Sequence, residues 1–130
     1  MTIVITQDQA IEALEQAVNA NGQNFIYEHI LTELRGREIQ TCRYEDQGAP
    51  SCGVGLALSY LGVTPEILKS LDRDTKADTS IDSLETLGLL SDAGFILEPG
   101  AVAVFSKFQR SQDLHNSWGY SLNKAKEALA

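Results

Sequence analysis

Apolar and polar positions recur along most of this chain with the period of a helix, about 3.6 residues, rather than with the alternation of a strand. Ile11, Leu14 and Val18, with Ala10 and Ala17, fall on one face, while Glu12, Glu15 and Gln16 fall on the other. Thr6 and Gln9 form a capping box ahead of them, so a helix is predicted from there to about Asn19, stopped by Asn21 and Gly22. Ile3 to Ile5 reads as a short apolar lead. Tyr27, Ile30, Leu31 and Leu34 then recur at i, i+3, i+4 and i+7, which predicts a second helix over about 24–35, with Gly36 past its end and Glu28 and His29 off its stripe.

From Glu38 to Tyr44 the chain is rich in β-branched and aromatic residues, and a short strand is expected. Asp46, Gln47 and Gly48 supply a turn, and Pro50 keeps Ala49 extended, so the next helix begins at Ser51, a good N-cap. Cys52 to Leu61 carries no charge and should be covered on nearly every side. Gly53 and Gly55 weaken that helix by about 1 kcal/mol each, a loss offset only where another backbone approaches closely. Gly62 ends it, and Thr64 with Pro65 opens a short helix through Leu71.

The run from Asp72 to Ser80 is polar and reads as an exposed loop. A helix is predicted from Ile81 to about Ala93, capped by Thr79 or Ser80 and closed by Gly94, with Leu84, Leu87 and Leu89 or Leu90 inside. Phe95 to Leu97 should be extended. At Pro99 the pattern forks between a type II turn feeding a strand over Ala101–Phe105 and a helix with Pro99 at its first position. The helix is favoured, because Ala101, Val104, Phe105 and Phe108 continue one face beyond Phe105, with Lys107, Arg110 and Asp113 outside. Asn116 and Ser117 break it, and Trp118, Leu122, Ala125 and Leu129 set the face of a last helix. The fold class is therefore α+β and predominantly helical: a compact single domain spanning 1–130, with a short strand or hairpin element near 38–50 and a C-terminal helical hairpin.

Composition narrows the functions. A chain of 130 residues with 43% hydrophobic content buries a core of its own without disulfides. The formal net charge of −8 disfavours a nucleic-acid backbone as partner and suits a neutral or basic protein surface. No apolar run reaches the roughly 18 residues of a membrane span, and Met1 to Thr6 lacks the features of a signal peptide. A cytoplasmic location with reduced thiols follows as the expectation.

Cys42 and Tyr44 in the strand, Gly48, Pro50, Ser51 and Cys52 at the turn, Gly55 in the apolar helix and the Leu61, Gly62, Val63 that follow make a pattern. It resembles small uncharacterised accessory proteins encoded by bacteriophages of actinobacteria. Gln109, Asp113, Trp118 and Gly119 are similar to a later part of the same proteins. Gly53 departs from the pattern, where a larger aliphatic residue is expected. The resemblance covers about two thirds of the chain. It implies a setting, the cytoplasm of a bacterial host, and no assigned activity, cofactor or catalytic residue.

The candidate chemistry is sparse. At the start of the helix after Pro50, the amides of Cys52, Gly53 and Val54, the Ser51 hydroxyl and a nearby Arg43 could hold a phosphate-bearing small molecule or nucleotide signal; a water-filled helix cap is the plainer alternative. Tyr44, His115, Trp118 and Tyr120 are the candidates for contact with a partner protein, against core packing for Trp118. Cys52 with His115 as base would make a cysteine nucleophile, although a Cys heading an apolar helix is also a small packing residue. Cys42 and Cys52 could bridge if oxidised, and a metal site would need His29, Cys42, Cys52 and His115 to converge, without the usual close pairing. The acidic run of Glu66, Asp72, Asp74, Asp78, Asp82 and Glu85 is interrupted by Lys69, Arg73 and Lys76 and reads as a solvated face. The leading expectation is a non-catalytic interaction protein that modulates a host protein, with no cofactor and no metal. A ligand binder ranks second and a cysteine enzyme third; homo-oligomerisation stays open.

Overall fold

A computed structural model of the chain describes residues 2–27, 30–34, 37–41, 43–73 and 80–127, and within 30–41 and at Arg73 the backbone only. The elements are β1 (Ile3–Ile5), α1 (Gln7–Asn21), β2 (Ile30–Leu34), β3 (Arg37–Thr41), β4 (Glu45–Asp46), β5 (Ala49–Pro50), α2 (Gly53–Tyr60), α3 (Pro65–Arg73), α4 (Leu84–Asp92), β6 (Phe95–Leu97), α5 (Pro99–Asp113) and α6 (Trp118–Glu127). The fold is α+β and predominantly helical, and α5 and α6 form the C-terminal hairpin.

Helix α1 starts as its sequence dictates. Thr6 Oγ1 accepts the Gln9 amide at 3.2 Å and Gln9 Oε1 accepts the Thr6 amide at 2.9 Å, which satisfies two of the orphan donors of the first turn. Ala10, Ala13, Leu14, Ala17 and Val18 are buried against α2, α5 and α6, and Gly22, at φ 98°, closes the far end. The apolar lead before α1 is more than a lead. It is a parallel strand, with Ile3, Val4 and Ile5 opposite Phe95, Ile96 and Leu97.

The second helix expected over 24–35 is replaced by a hairpin in which β2 pairs antiparallel with β3, Ile30 opposite Thr41 and Leu34 opposite Arg37. Only two residues separate Leu34 from Arg37, the spacing of a tight hairpin connection. The helical spacing of Tyr27, Ile30, Leu31 and Leu34 is also compatible with a strand entered after Tyr27, so the period misled. His29, Gly36 and Cys42 lie outside the described residues, as do 74–79 of the expected loop, with Asp74, Lys76 and Asp78 of the acidic run, and Leu129.

The turn at 46–48 is a two-residue hairpin loop between β4 and β5, with Gln47 at φ 52° and Gly48 at φ 85°. Helix α4 begins three residues later than expected. Ser83, not Thr79 or Ser80, is its cap, accepting the Thr86 amide at 3.1 Å. That shift turns Leu84 out to solvent, 87% exposed, and leaves Ile81 buried ahead of the helix, with Thr86 and Leu90 on the inner side. The fork at Pro99 resolves to the helix: α5 carries Pro99 in its first turn and buries Ala101, Val104, Phe105 and Phe108. The core is one cluster that joins these residues to Leu14, Tyr44, Leu58, Leu68, Leu71 and Trp118.

Candidate functional site

The start of α2 is the first place to look for a ligand. Its N-cap is Cys52 rather than Ser51: the Cys52 backbone is extended and its Sγ accepts the Gly55 amide at 3.4 Å. The Gly53 amide donates to Gln112 Oε1 at 2.8 Å, and the Cys52 amide donates to the Arg43 carbonyl at 2.9 Å. Ser51 Oγ is paired with the Tyr27 hydroxyl at 2.9 Å. A side chain at Gly53 would strike the Phe108 ring, and one at Gly55 the Tyr44 carbonyl. Ser51, Cys52 and Gly53 therefore form an internal joint, not an open anion cradle, because the Ser51 hydroxyl and the Cys52 and Gly53 amides are held by the protein itself and Val54 is buried. Arg43 is the member of that group that faces a cavity.

Tyr44 and Trp118 are both fully buried: Tyr44 does not offer the contact surface expected of it, and Trp118 takes the core-packing role weighed against partner contact. The Tyr44 hydroxyl accepts from Gln109 Nε2 at 2.9 Å, and Gln109 Oε1 accepts the Ile81 amide at 2.8 Å. This one glutamine ties the β4 approach to the segment before α4. Gln109 and Gln112 follow Phe105 and Phe108 at helical spacing, so the periodicity that located the inner face of α5 also marks these two polar side chains as inward. Sequence reasoning had not drawn that consequence for Gln112.

Cys52, closed off from water, serves as a cap, while His115 is exposed at φ 65° just after α5. Cys52 is a free thiol, and Cys42, its expected partner if oxidised, lies outside the described residues. Among the described residues, no three His, Cys, Asp or Glu side chains gather in a way that could hold a metal ion.

Two surface features remain. At the α5–α6 turn, the Trp118 and Gly119 amides donate to the Phe25 and Gln23 carbonyls at 2.8 and 2.9 Å, which pins the segment after α1 across the start of α6. Phe25 stacks edge-on against Trp118, centroids 4.6 Å apart, and Phe108 meets the same indole at 6.0 Å. Around this buried ring Phe25, Ile26, Leu114 and Tyr120 stay exposed, by 37, 50, 75 and 49%. Beside them Glu15, Asn19, Gln23, Asn24, Asn123 and Lys126 line a shallow polar groove.

The second feature is a cleft of about 650 Å³ between the β4–β5 turn and α3, lined by Arg43, Glu45, Gln47, Gly48, Lys69 and Asp72. Asp72 joins its two walls. Oδ1 accepts the Tyr44 amide and Oδ2 the Glu45 amide, each at 3.1 Å. Burial pushes the Asp72 carboxyl up from 3.8 to about 6, against the pull of those two amides and of Arg43 and with the help of Glu45. The acidic run was expected to be a solvated face, but this member is a structural clasp.

No helix among the described residues is long and apolar enough to cross a membrane. Comparison of the chain with protein-family models, with curated proteins and with solved structures finds no match.

Proposed function

We propose that this chain is a non-catalytic interaction protein: a small acidic accessory factor that binds a host protein in a bacterial cytoplasm and modulates it, as its likeness to phage-encoded proteins implies. The observation that carries this reading is the exposure of Phe25, Ile26, Leu114 and Tyr120 around the α5–α6 turn. Large apolar and aromatic side chains held over a rigid base are what an interface centre requires, because little ordering remains to be done on binding. Here the base is Trp118, gripped between Phe25 and Phe108. His115 and Tyr120, the two exposed residues of the four expected to meet a partner, belong to this corner, and Trp118 supports it from within.

A net charge of −8 favours a partner whose apolar patch is rimmed by neutral or basic residues. The test is affinity capture from an actinobacterial lysate with the wild-type chain and with a Leu114→Ser/Tyr120→Ala variant whose melting temperature is unchanged. A partner captured by the wild type and lost by the variant supports the reading. A partner retained by the variant, or none captured by the wild type, counts against it.

A further inference from the structure

The cleft between the β4–β5 turn and α3 lies apart from the α5–α6 corner, and its charges are unevenly committed. Both carboxylates in it are already used as acceptors: Asp72 holds the Tyr44 and Glu45 amides, and Glu45 Oε1 takes the Gly48 amide at 3.2 Å. Both cations are not. Among the described residues, neither the Arg43 guanidinium nor the Lys69 ammonium forms an ion pair. The cationic donors of the cleft are thus open, Arg43 acting on Asp72 only through its charge, while both carboxylates are engaged by backbone amides.

The two cations are also held in place by the fold. Arg43 is fixed through its backbone on both sides, its amide donating to the Tyr27 hydroxyl at 3.4 Å and its carbonyl accepting from Cys52 at 2.9 Å. Lys69 stands one helical turn before Asp72 on α3 and so shares its face. A volume of about 650 Å³ is that of a metabolite site rather than of a macromolecular groove. The geometry points to a binding site for a small oxyanion-bearing molecule, a carboxylate or a phosphate ester, whose anionic group sits between Arg43 and Lys69. Arg43 supplies a planar fork and Lys69 a point charge, a donor set suited to either oxyanion. The anion is drawn by these local donors, since the chain as a whole repels it.

The experiment is a ¹⁵N-HSQC titration of the full chain with inorganic phosphate, with succinate and with tetramethylammonium. The expected result is saturable shifts at the amides of Gln47, Gly48 and Lys69 with one or both anions and none with the cation; the anion that saturates first distinguishes phosphate from carboxylate. Lys69→Gln, an exposed helix substitution, and Arg43→Gln should each weaken binding about tenfold while the melting temperature holds. Shifts that never saturate, saturation by tetramethylammonium, or anion affinity unchanged in Lys69→Gln would overturn the assignment. None of these outcomes depends on a protein partner, so the two proposals stand or fall separately.

Discussion

Gln112 Oε1 accepts the backbone amide of Gly53 at 2.8 Å, across 59 residues of chain. A side chain from the last turn of α5 thereby does at the start of α2 what a bound anion does at an open helix start. The bond also fixes how α2 sits on α5, since Gly53 has no Cβ to hold the Phe108 ring away.

Gln112→Leu should therefore cost about 1 to 3 kcal/mol, the usual penalty for a buried donor left unpaired. Chemical denaturation would show a lowered midpoint with an unchanged slope. A variant as stable as the wild type would mean that the Gly53 amide finds another acceptor.

The glycines of two helices should respond in opposite directions. Gly55→Ala drives a methyl group into the Tyr44 backbone carbonyl, which cannot swing aside, and should cost more than about 3 kcal/mol or abolish folding. Gly88→Ala, in α4 with nothing within 4 Å of the added carbon, should stabilise by about 0.5 to 1 kcal/mol. Thermal melts of the two variants side by side provide the comparison.

Asp72 ionises near 3.8 in an unfolded chain and near 6 in the folded one, mainly because it is buried. Folding therefore takes up a proton between those values. Asp72's contribution to stability is full below the lower value and declines as pH rises through the upper one. The charged groups that act on it across the cleft are Arg43, which favours the ionised form, and Glu45, which opposes it. Asp72→Asn removes the titration and loses one acceptor at every pH, so the difference in melting temperature between variant and wild type should shift in the variant's favour between pH about 4 and about 7. A difference that stays flat would show that the two amides and Arg43 offset burial at this carboxyl, and a shift in the wild type's favour that they outweigh it.

Cys52 is buried and its sulfur is engaged by the Gly55 amide. In a Cys42→Ser background the remaining thiol should react with a disulfide reagent only as fast as the protein opens, and promptly in denaturant. Prompt labelling of the native protein would reveal an accessible thiol and revive the nucleophile reading.

What the sequence disclosed was the part of the fold decided by neighbours. The Thr6–Gln9 box, Pro99 at the head of α5, Trp118 and Leu122 on the inner face of α6 and the depth of the Cys52 helix all depend on residues within a few positions of one another. Partners far along the chain were illegible. Ile3–Ile5 is a strand only because Phe95–Leu97 lies beside it. A spacing that fitted a helix over 24–35 gave way to pairing with 37–41. The closure of the Ser51 helix start was hidden for the same reason: nothing near Ser51 announces that Gln112 and Tyr27 will take up its donors, whereas Arg43 lines the cleft between the β4–β5 turn and α3. Leu84, expected inside, is exposed because the cap lies three residues further along, an error of boundary rather than of element.

The parallel ladder between β1 and β6 carries a consequence for biogenesis. During synthesis Ile3, Val4 and Ile5 emerge from the ribosome long before the strand that pairs with them, and their ladder cannot close until Leu97 has been made. A chain cut short before Phe95 thus leaves Ile3–Ile5 without its ladder partner and uncovers the Ile5 side chain that the finished fold buries.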